Sequence, residues 1–358
     1  MEELKDKIAE LTARQNRILD SGGSQQAMKQ HEKGKLTARE RIELFFDEGT
    51  FNEIDLFVEH RSSDFGLDSK VIPGDGVITG HGLVDGRPVF AYFQDFTIQG
   101  GSLGEMHARK ICKIMDKAGQ AGLPVIGFND SGGARIQEGI DALSGFGDIF
   151  FRNARMSGVI PQISVIMGPC AGGAVYSPAM TDWVFMVKQT SHMYITGPAV
   201  IRTVTGEETS HEDLGGALVH NTRSGNAHFA CEDEKDALNG VKTLLSFLPN
   251  NNMEEPPCIA STDNPLRLCP ELDTIIPDDP KTGYNMKDVI HSIVDHGAFF
   301  EPHQFFAENI ITALARINGR PVGIIASQPQ YLAGCLDIDA SDKASRFVRT
   351  CDASTCPW

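Results

Sequence analysis

The sequence predicts an α/β fold in which buried strands alternate with helices. Three observations carry that prediction. Two segments about forty residues apart each join an apolar strand to a glycine-rich turn. Strand and helix patterns alternate from about residue 71 to 230, and a stretch of the first half reappears in the second.

Along the chain, Leu4, Ile8, Leu11 and Ile18 share one face of a helix that Ser21-Gly22-Gly23 breaks. Such a stripe packs on the protein's own body or on a neighbouring subunit. Residues 33–49 carry a second amphipathic helix, with Thr37 and Glu40 as a capping box at its start. The first strand–turn segment runs from Leu123-Pro124-Val125-Ile126-Gly127-Phe128 into Asn129-Asp130-Ser131-Gly132-Gly133-Ala134-Arg135. The second runs from Ile163-Ser164-Val165-Ile166-Met167 into Gly168-Pro169-Cys170-Ala171-Gly172-Gly173-Ala174-Val175.

Each glycine pair is expected where a strand ends and a helix begins. The first N–H groups of a helix have no partner within it, and glycine allows close approach to them. Two such turns side by side can direct two N–H donors at one oxygen, which is an oxyanion hole. That geometry suits thioester and enolate chemistry.

The Pro/Asn-rich stretch from Pro249 to Pro265 reads as a linker. Beyond it, Val77-Ile78-Thr79 through Asp85-Gly86-Arg87-Pro88-Val89 returns as Ile310-Ile311-Thr312 through Asn318-Gly319-Arg320-Pro321-Val322, an ungapped offset of 233 residues. Gly101, Leu103 and Lys110 then fall on Gly334, Leu336 and Lys343, and Ile111, Ile114 and Met115 on Ala344, Phe347 and Val348. Matching of this kind means two copies of one fold. The same register sets Leu123-Pro124-Val125 on Cys356-Pro357-Trp358, so the second copy is expected to be incomplete. The expected division is a helical N-terminal extension at 1–70, a first domain at 71–250, a linker at 251–265 and a partial second domain at 266–358.

Length and composition narrow the function. A chain of 358 residues accommodates two domains, and 41% hydrophobic with 22% charged residues is ordinary for a globular enzyme. The 36 glycines cluster at strand ends. A net charge of −16 argues against nucleic acid or an anionic membrane as the main partner. No run of about eighteen apolar residues suggests a membrane span. Residues 1–7 resemble neither a signal nor a transit peptide. The eight cysteines include no C-x-x-C pair and read as scattered reduced thiols, for which the cytoplasm is the expected setting.

Several long stretches resemble the carboxyltransferase (beta) subunits of biotin-dependent acyl-CoA carboxylases, most of all those acting on propionyl-CoA. They are Gly34-Lys35-Leu36-Thr37-Ala38-Arg39-Glu40-Arg41, Pro73-Gly74-Asp75-Gly76-Val77, Gln94-Asp95-Phe96-Thr97 and Gly100-Gly101-Ser102-Leu103. Residues 129–139 and 168–178, Tyr284-Asn285-Met286, Ser327-Gln328-Pro329 and Gly334-Cys335-Leu336-Asp337 complete the set. The resemblance runs from near residue 5 to about 353. It implies a crotonase (ClpP/crotonase-like) fold in each copy, a superhelix of β-β-α turns. It also implies CO2 transfer from carboxybiotin, carried on a partner biotin carboxylase/biotin carrier (alpha) subunit, to the α-carbon of a short acyl-CoA, turning propionyl-CoA into methylmalonyl-CoA. In such subunits the N-terminal domain binds coenzyme A and the C-terminal domain of a second copy binds biotin. A dimer or hexamer is therefore implied.

By that resemblance the oxyanion donors are Gly133/Ala134 and Gly172/Gly173. The expected CoA and substrate contacts are Ser131, Gly132, Arg135 and Ala171, with Gly100 and Gly101. The biotin ureido group serves as base, so no protein base and no metal is expected. After Asp352 the sequence leaves the family's pattern, and no residues here match the biotin-side oxyanion hole. Two other readings stand beside carboxylation: a methylmalonyl-CoA decarboxylase or transcarboxylase subunit, and a non-catalytic truncated chain that binds only CoA and partner subunits.

Simpler roles compete at single residues. A glycine pair is often only a tight turn. Arg135 and Glu138 either orient the substrate or form an ion pair or helix cap. Asp130 at a strand end reads as a helix cap. His291 and His296 are five apart, not the i, i+4 of a metal pair. Cys170 reads as a small buried side chain. Gly74-Asp75-Gly76-Val77-Ile78-Thr79-Gly80 has the wrong spacing for a dinucleotide loop.

Overall fold

The two strands that carry the glycine turns lie side by side at the centre of the main sheet, buried on both faces. The computed structural model describes all residues except Met1, Ser21 and Pro280, and omits the side chains of Glu2 and Glu3. Its main sheet contains β1 (Asn52–Ile54), β2 (Val77–Val84), β3 (Arg87–Gln94), β4 (Val125–Ser131), β5 (Gln162–Ala171), β6 (Trp183–Val187), β7 (His192–Tyr194) and β8 (Phe229–Cys231). The order is β1-β2-β3-β4-β5-β6-β8, with β7 on the C-terminal end of β5. β1, β2 and β3 pair antiparallel, and every later pairing is parallel.

Side chains alternate across β4 and β5, as period two demands. Ile126, Phe128, Ile163, Val165 and Met167 enter one core, where Phe128 stacks on Phe93 at 4.2 Å. Val125, Ile166 and Cys170 enter the other.

Helices cover both faces. α1 (Glu2–Leu19), α2 (Gly23–His31) and α3 (Ala38–Phe45) precede the sheet, and α4 (Glu105–Ala121) follows β3. α5 (Ile140–Met156) links β4 to β5, and α6 (Gly173–Met180) follows β5. α7 (Pro198–Thr205), α8 (His211–Gly215), α9 (Ala217–Thr222) and α10 (Glu234–Phe247) complete this half. α3 starts with the expected capping box, Thr37 with Glu40, but is shorter than the 33–49 pattern suggested. The break after α1 falls where expected, although Ser21 lies outside the described residues. On the apolar stripe of α1, Ile18 is buried while Leu4, Ile8 and Leu11 stay more than half exposed.

The rest of the chain holds α11 (Leu272–Ile275), α12 (Met286–Ile293), β9 (Phe299–Phe300), β10 (Ile310–Ile317), β11 (Arg320–Ser327) and α13 (Ile338–Ala353). The bounds of β10 and β11 match those of β2 and β3 at the offset read from the sequence. Lys110 and Lys343 are equivalent in detail. Lys110 Nζ donates to the carbonyls of Gly74 and Val77, and Lys343 Nζ to those of Ala307 and Ile310 among others.

The repeat also reaches further upstream than the sequence showed, because its offset changes there. α12 matches α3, with Asn285 capping where Thr37 caps, and β9 pairs with β10 as β1 pairs with β2. Asp295 accepts from the Asn318 and Gly319 N–H groups, as Asp47 does from Asp85 and Gly86. Residues 38–54 thus belong to the repeating unit, which corrects their assignment to a helical extension. Even the last residues keep register: Pro357 O accepts from Gly323 N at 2.7 Å, as Pro124 O accepts from Phe90 N at 3.0 Å.

Residues 251–265 contain no helix or strand. The two copies nevertheless share a core, since Leu314, Phe347, Cys351 and Cys356 join the cluster containing Phe93, Phe128 and Phe185. The rings of His228 and His303 meet across the same junction, tilted at 36° with centroids 4.2 Å apart. Burial, aided by the nearby cations Arg346 and Lys343, pulls His303 down to about 3. Between that value and the ordinary 6.5, only the unfolded chain takes up the proton. Stability is therefore lost as pH falls below about 6.5, with this group adding up to about 1.4 kcal/mol per pH unit. Urea unfolding from pH 7 to 4 is expected to show a shallower pH dependence for His303→Gln than for the unsubstituted protein.

Candidate active site

The site is built outward from a buried charge cluster at the end of β4. Asp130 has no exposed surface and meets Lys35 Nζ at 2.7 Å and Arg41 Nη1 and Nη2 at 3.0 Å. Arg41 also forks onto Glu234, Nε donating to Oε2 at 2.8 Å and Nη2 to Oε1 at 2.6 Å. Two cations and two carboxylates thereby close a neutral network that ties α3 and α10 to the end of β4. Burial alone would lower the Arg41 value, but Glu234 and then Asp130 reverse this and raise it. Burial lowers Lys35, with Asp130 pulling the other way. Gly168 faces the network from β5, and a Cβ there would strike Asp130 Oδ1.

Asp130 is therefore an ion-pair centre and not the helix cap the sequence suggested. The helix after β4 begins only at Ile140, beyond a 3-10 turn at Ile136–Glu138, so no helix starts at the first glycine pair. The loop from Gln99 to Leu103 fills that place instead. Gly132 N donates to Gly100 O, Leu103 N to Gly133 O, and Arg135 N to Leu103 O, each at 2.9 Å. Gly101, at φ +61°, fits because a Cβ would collide with the Asp130 carbonyl.

The side chains of Ser131 and Arg135 are turned inward, so any contact they make with a ligand is through the backbone. Ser131 Oγ accepts from Gly133 N at 3.1 Å. Arg135 is 2% exposed and pairs with Asp75 and with Glu138. These carboxylates accept from His107 N and Glu105 N, both at 2.7 Å, and so cap α4. Burial raises Asp75, while Arg135 opposes the shift. Gly104 leaves room for this group, and at the equivalent place Asp337 caps α13 by itself.

The second turn behaves as expected. Gly172, at φ +60°, precedes α6, which starts at Gly173. Gly172 N donates to Tyr194 O of β7 at 3.2 Å. The two turns touch: a Cβ on Gly133 would lie 2.9 Å from Ala171 O, and Ser131 pairs with Cys170. Cys170 is fully buried, its Sγ–H donates to Ala174 O, and burial pushes the thiol up, so it is no nucleophile.

Among the described residues, the donors of Gly132, Gly133 and Gly172 are thus consumed. Among the described residues, the N–H groups of Ala134, Gly173 and Ala174 have no protein acceptor. Ala134 is left over because the pairing with Leu103 uses its two neighbours, which turns its own N–H to the other side. Gly173 is left over because it is the first residue of a helix. Adjoining turns that each keep an uncommitted N–H, Ala134 in the first and the opening residues of α6 in the second, can supply the donors an oxyanion requires.

An apolar cavity of about 430 Å³ adjoins the second turn, lined by Val175, Tyr176, Met193, Ile195 and Leu214 among others, with His220. The charge network and β7 were not read from the sequence. Lys35 and Arg41 sit in a pattern that suits a solvated helix face, and β7 is three residues long.

The carboxyl transferase domain family matches residues 29–358. The methylmalonyl-CoA decarboxylase subunit alpha of Propionigenium modestum is 58% identical over 351 residues, covering 98% of this chain and 68% of that one. The propionyl-CoA carboxylase carboxyltransferase subunit of Haloferax mediterranei is 55% identical, covering 99% and 69%. The transcarboxylase 12S hexamer core, solved with methylmalonyl-coenzyme A bound, superposes with a TM-score of 0.96 at 49% identity, covering 99% and 69%.

Removing one member of the charge network strands the others without water. Arg41→Met is expected to cost about 3–5 kcal/mol, measured by denaturant unfolding. Gly168→Ala, which displaces Asp130 without removing a charge, is expected to destabilise by roughly 1–3 kcal/mol.

Proposed function

The chain belongs to the carboxyl transferase family, and on that premise we propose that it is the carboxyltransferase subunit of a biotin-dependent acyl-CoA carboxylase. Its reaction moves CO2 between carboxybiotin and the α-carbon of a short acyl-CoA, propionyl-CoA becoming methylmalonyl-CoA. The observation that carries this reading is the pair of acceptor-free N–H groups, Ala134 and Gly173, on touching turns.

The α-proton of a thioester is weakly acidic, and its loss places negative charge on the carbonyl oxygen. Two fixed donors at that oxygen stabilise the enolate without reorganising when the charge appears. The N-terminal end of α6 adds its partial positive charge. Gly172 keeps this approach open, since nothing but a carbonyl at 3.9 Å lies near where its Cβ would be. The adjoining apolar cavity suits the acyl portion of the substrate. Carboxybiotin, presented by an alpha subunit, supplies the activated carboxyl group when bound.

Reversal of the same transfer is favoured by one observation, the 58% identity to a methylmalonyl-CoA decarboxylase subunit. The two directions share one enolate, so the same donors serve both. Assembly with further copies of the chain is supported by the hexamer of the transcarboxylase 12S core. A cytoplasmic setting is supported by eight cysteines that form no disulfide. Among the described residues no helix is long and apolar enough to cross a membrane.

Gly173 occupies the first position of α6, where proline is tolerated; it removes the N–H and sets its ring Cδ where that donor pointed. Gly173→Ala controls for the added Cβ, which would lie 2.8 Å from the Phe146 ring. Carboxyl transfer from methylmalonyl-CoA to biotin is expected to be roughly 10²–10³ slower in Gly173→Pro than in Gly173→Ala, with acyl-CoA binding retained. Equal rates in the two variants would remove Gly173 from the oxyanion site. Acyl-CoA binding without transfer by the unsubstituted chain would instead favour a chain that binds CoA and catalyses nothing.

A further inference from the structure

β7 is the element that holds the second glycine turn from outside, and it is only three residues long. Its register on β5 sets His192, Met193 and Tyr194 beside Pro169, Cys170 and Ala171. Through it, the Tyr194 carbonyl takes the Gly172 N–H and fixes the peptide just before Gly173. A three-residue strand lies at the short end of the usual range, so its ladder is small.

The segment from His211 to His220 supplies what the ladder does not. His220 Nε2 lies 2.7 Å from the Met193 carbonyl, and Nδ1 lies 2.8 Å from Ser224 Oγ. Since a carbonyl only accepts, Nε2 carries the proton and Nδ1 accepts from the serine. The Tyr194 hydroxyl meets His211 Nδ1 at 2.7 Å, while Glu212 Oε2 approaches His192 Nε2 to 3.3 Å without hydrogen bonding, so His192 is tied to the segment through its bridge to Gly216. Gly215 and Gly216 let the segment lie flat: a Cβ on Gly215 would strike the Met193 carbonyl, and Gly216 bridges to His192. Every residue of β7 thus has a polar tie to this one segment, and none of these ties is spent elsewhere in the site.

We propose that residues 211–220 form a clamp that sets the aim of the Gly173 N–H through β7, with His220 as its principal positioning residue. His220 also lines the apolar cavity beside the second turn, but in this role it acts through the Met193 carbonyl and not on the reacting atoms. Its Nε2–H pins the Met193 carbonyl, which keeps the adjacent Tyr194 carbonyl on Gly172 and so fixes the donor that follows. This rests on the oxyanion role given to Gly173 above.

The test compares His220→Ala with His220→Gln, whose side-chain amide can place an N–H where Nε2 stood. Two readouts are taken on the full chain: steady-state carboxyl transfer from methylmalonyl-CoA to biotin, and hydrogen exchange of peptides covering 168–175. His220→Ala is expected to lower kcat roughly ten- to a hundredfold, as loss of alignment does, whatever change in KM follows from the altered cavity lining. It is also expected to speed exchange at Gly172, and His220→Gln to restore both. Unchanged kcat and unchanged exchange in His220→Ala would overturn the clamp, as would a loss confined to KM. If the unsubstituted chain transfers no carboxyl group, the oxyanion reading falls on that result alone. The exchange comparison then decides the clamp, faster exchange in His220→Ala that His220→Gln reverses supporting it and unchanged exchange refuting it.

Discussion

The neutral cluster of Lys35, Arg41, Asp130 and Glu234 is the constraint on which the site depends. Such a cluster adds little net stability, because desolvating four charges offsets their attraction. Its effect is positional. Asp130 accepts from two cations on the α3 side, and Arg41 reaches only if α10 presents Glu234. β4 therefore ends in one place, and the residues that follow it enter their turn from a fixed start.

From that start the glycines divide the labour. Gly132 and Gly133 give up their donors to Gly100 and Ser131, and Gly172 gives its own to β7. What remains free is the Ala134 N–H in the first turn and the opening N–H groups of α6, Gly173 foremost, in the second. The site is in this sense what the hydrogen-bond accounting leaves over, since a folded chain satisfies its other backbone groups. The carboxylates that might be taken for acid–base residues, Asp75, Asp130 and Glu138, are all occupied by arginine, lysine or a helix end. An enolate held by backbone donors has no need of them.

The repeat shows how far one unit can be bent to two uses. Both copies keep the α-β-β-β-α order, the buried lysine under the first hairpin strand and the aspartate that receives the hairpin turn. They differ where the first copy meets its glycine turn. There Gly104 makes space for Arg135 and Glu138, whereas Asp337 caps its own helix. The second copy does not stand apart, because Phe347 and Cys351 complete a core shared with Phe93 and Phe128.

The α/β class, the two strand–turn units, the capping box at Thr37 and the hairpin repeat were legible in the sequence, because each is local. Periodicity, glycine pairs and an ungapped offset need no knowledge of what packs against them. The family was legible for the same reason, from long uninterrupted motifs. Tertiary structure alone decided the rest. Which N–H of each glycine pair stays free depends on loop 99–103 and on β7, both remote in sequence. Asp130 could not be told from a helix cap until Lys35 and Arg41 were seen to reach it across nearly a hundred residues. The upstream part of the repeat was hidden by a shift in offset, so that only its paired strands and matching caps disclosed it. A sequence states which groups can bond, and only the packed chain settles which of them remain to act.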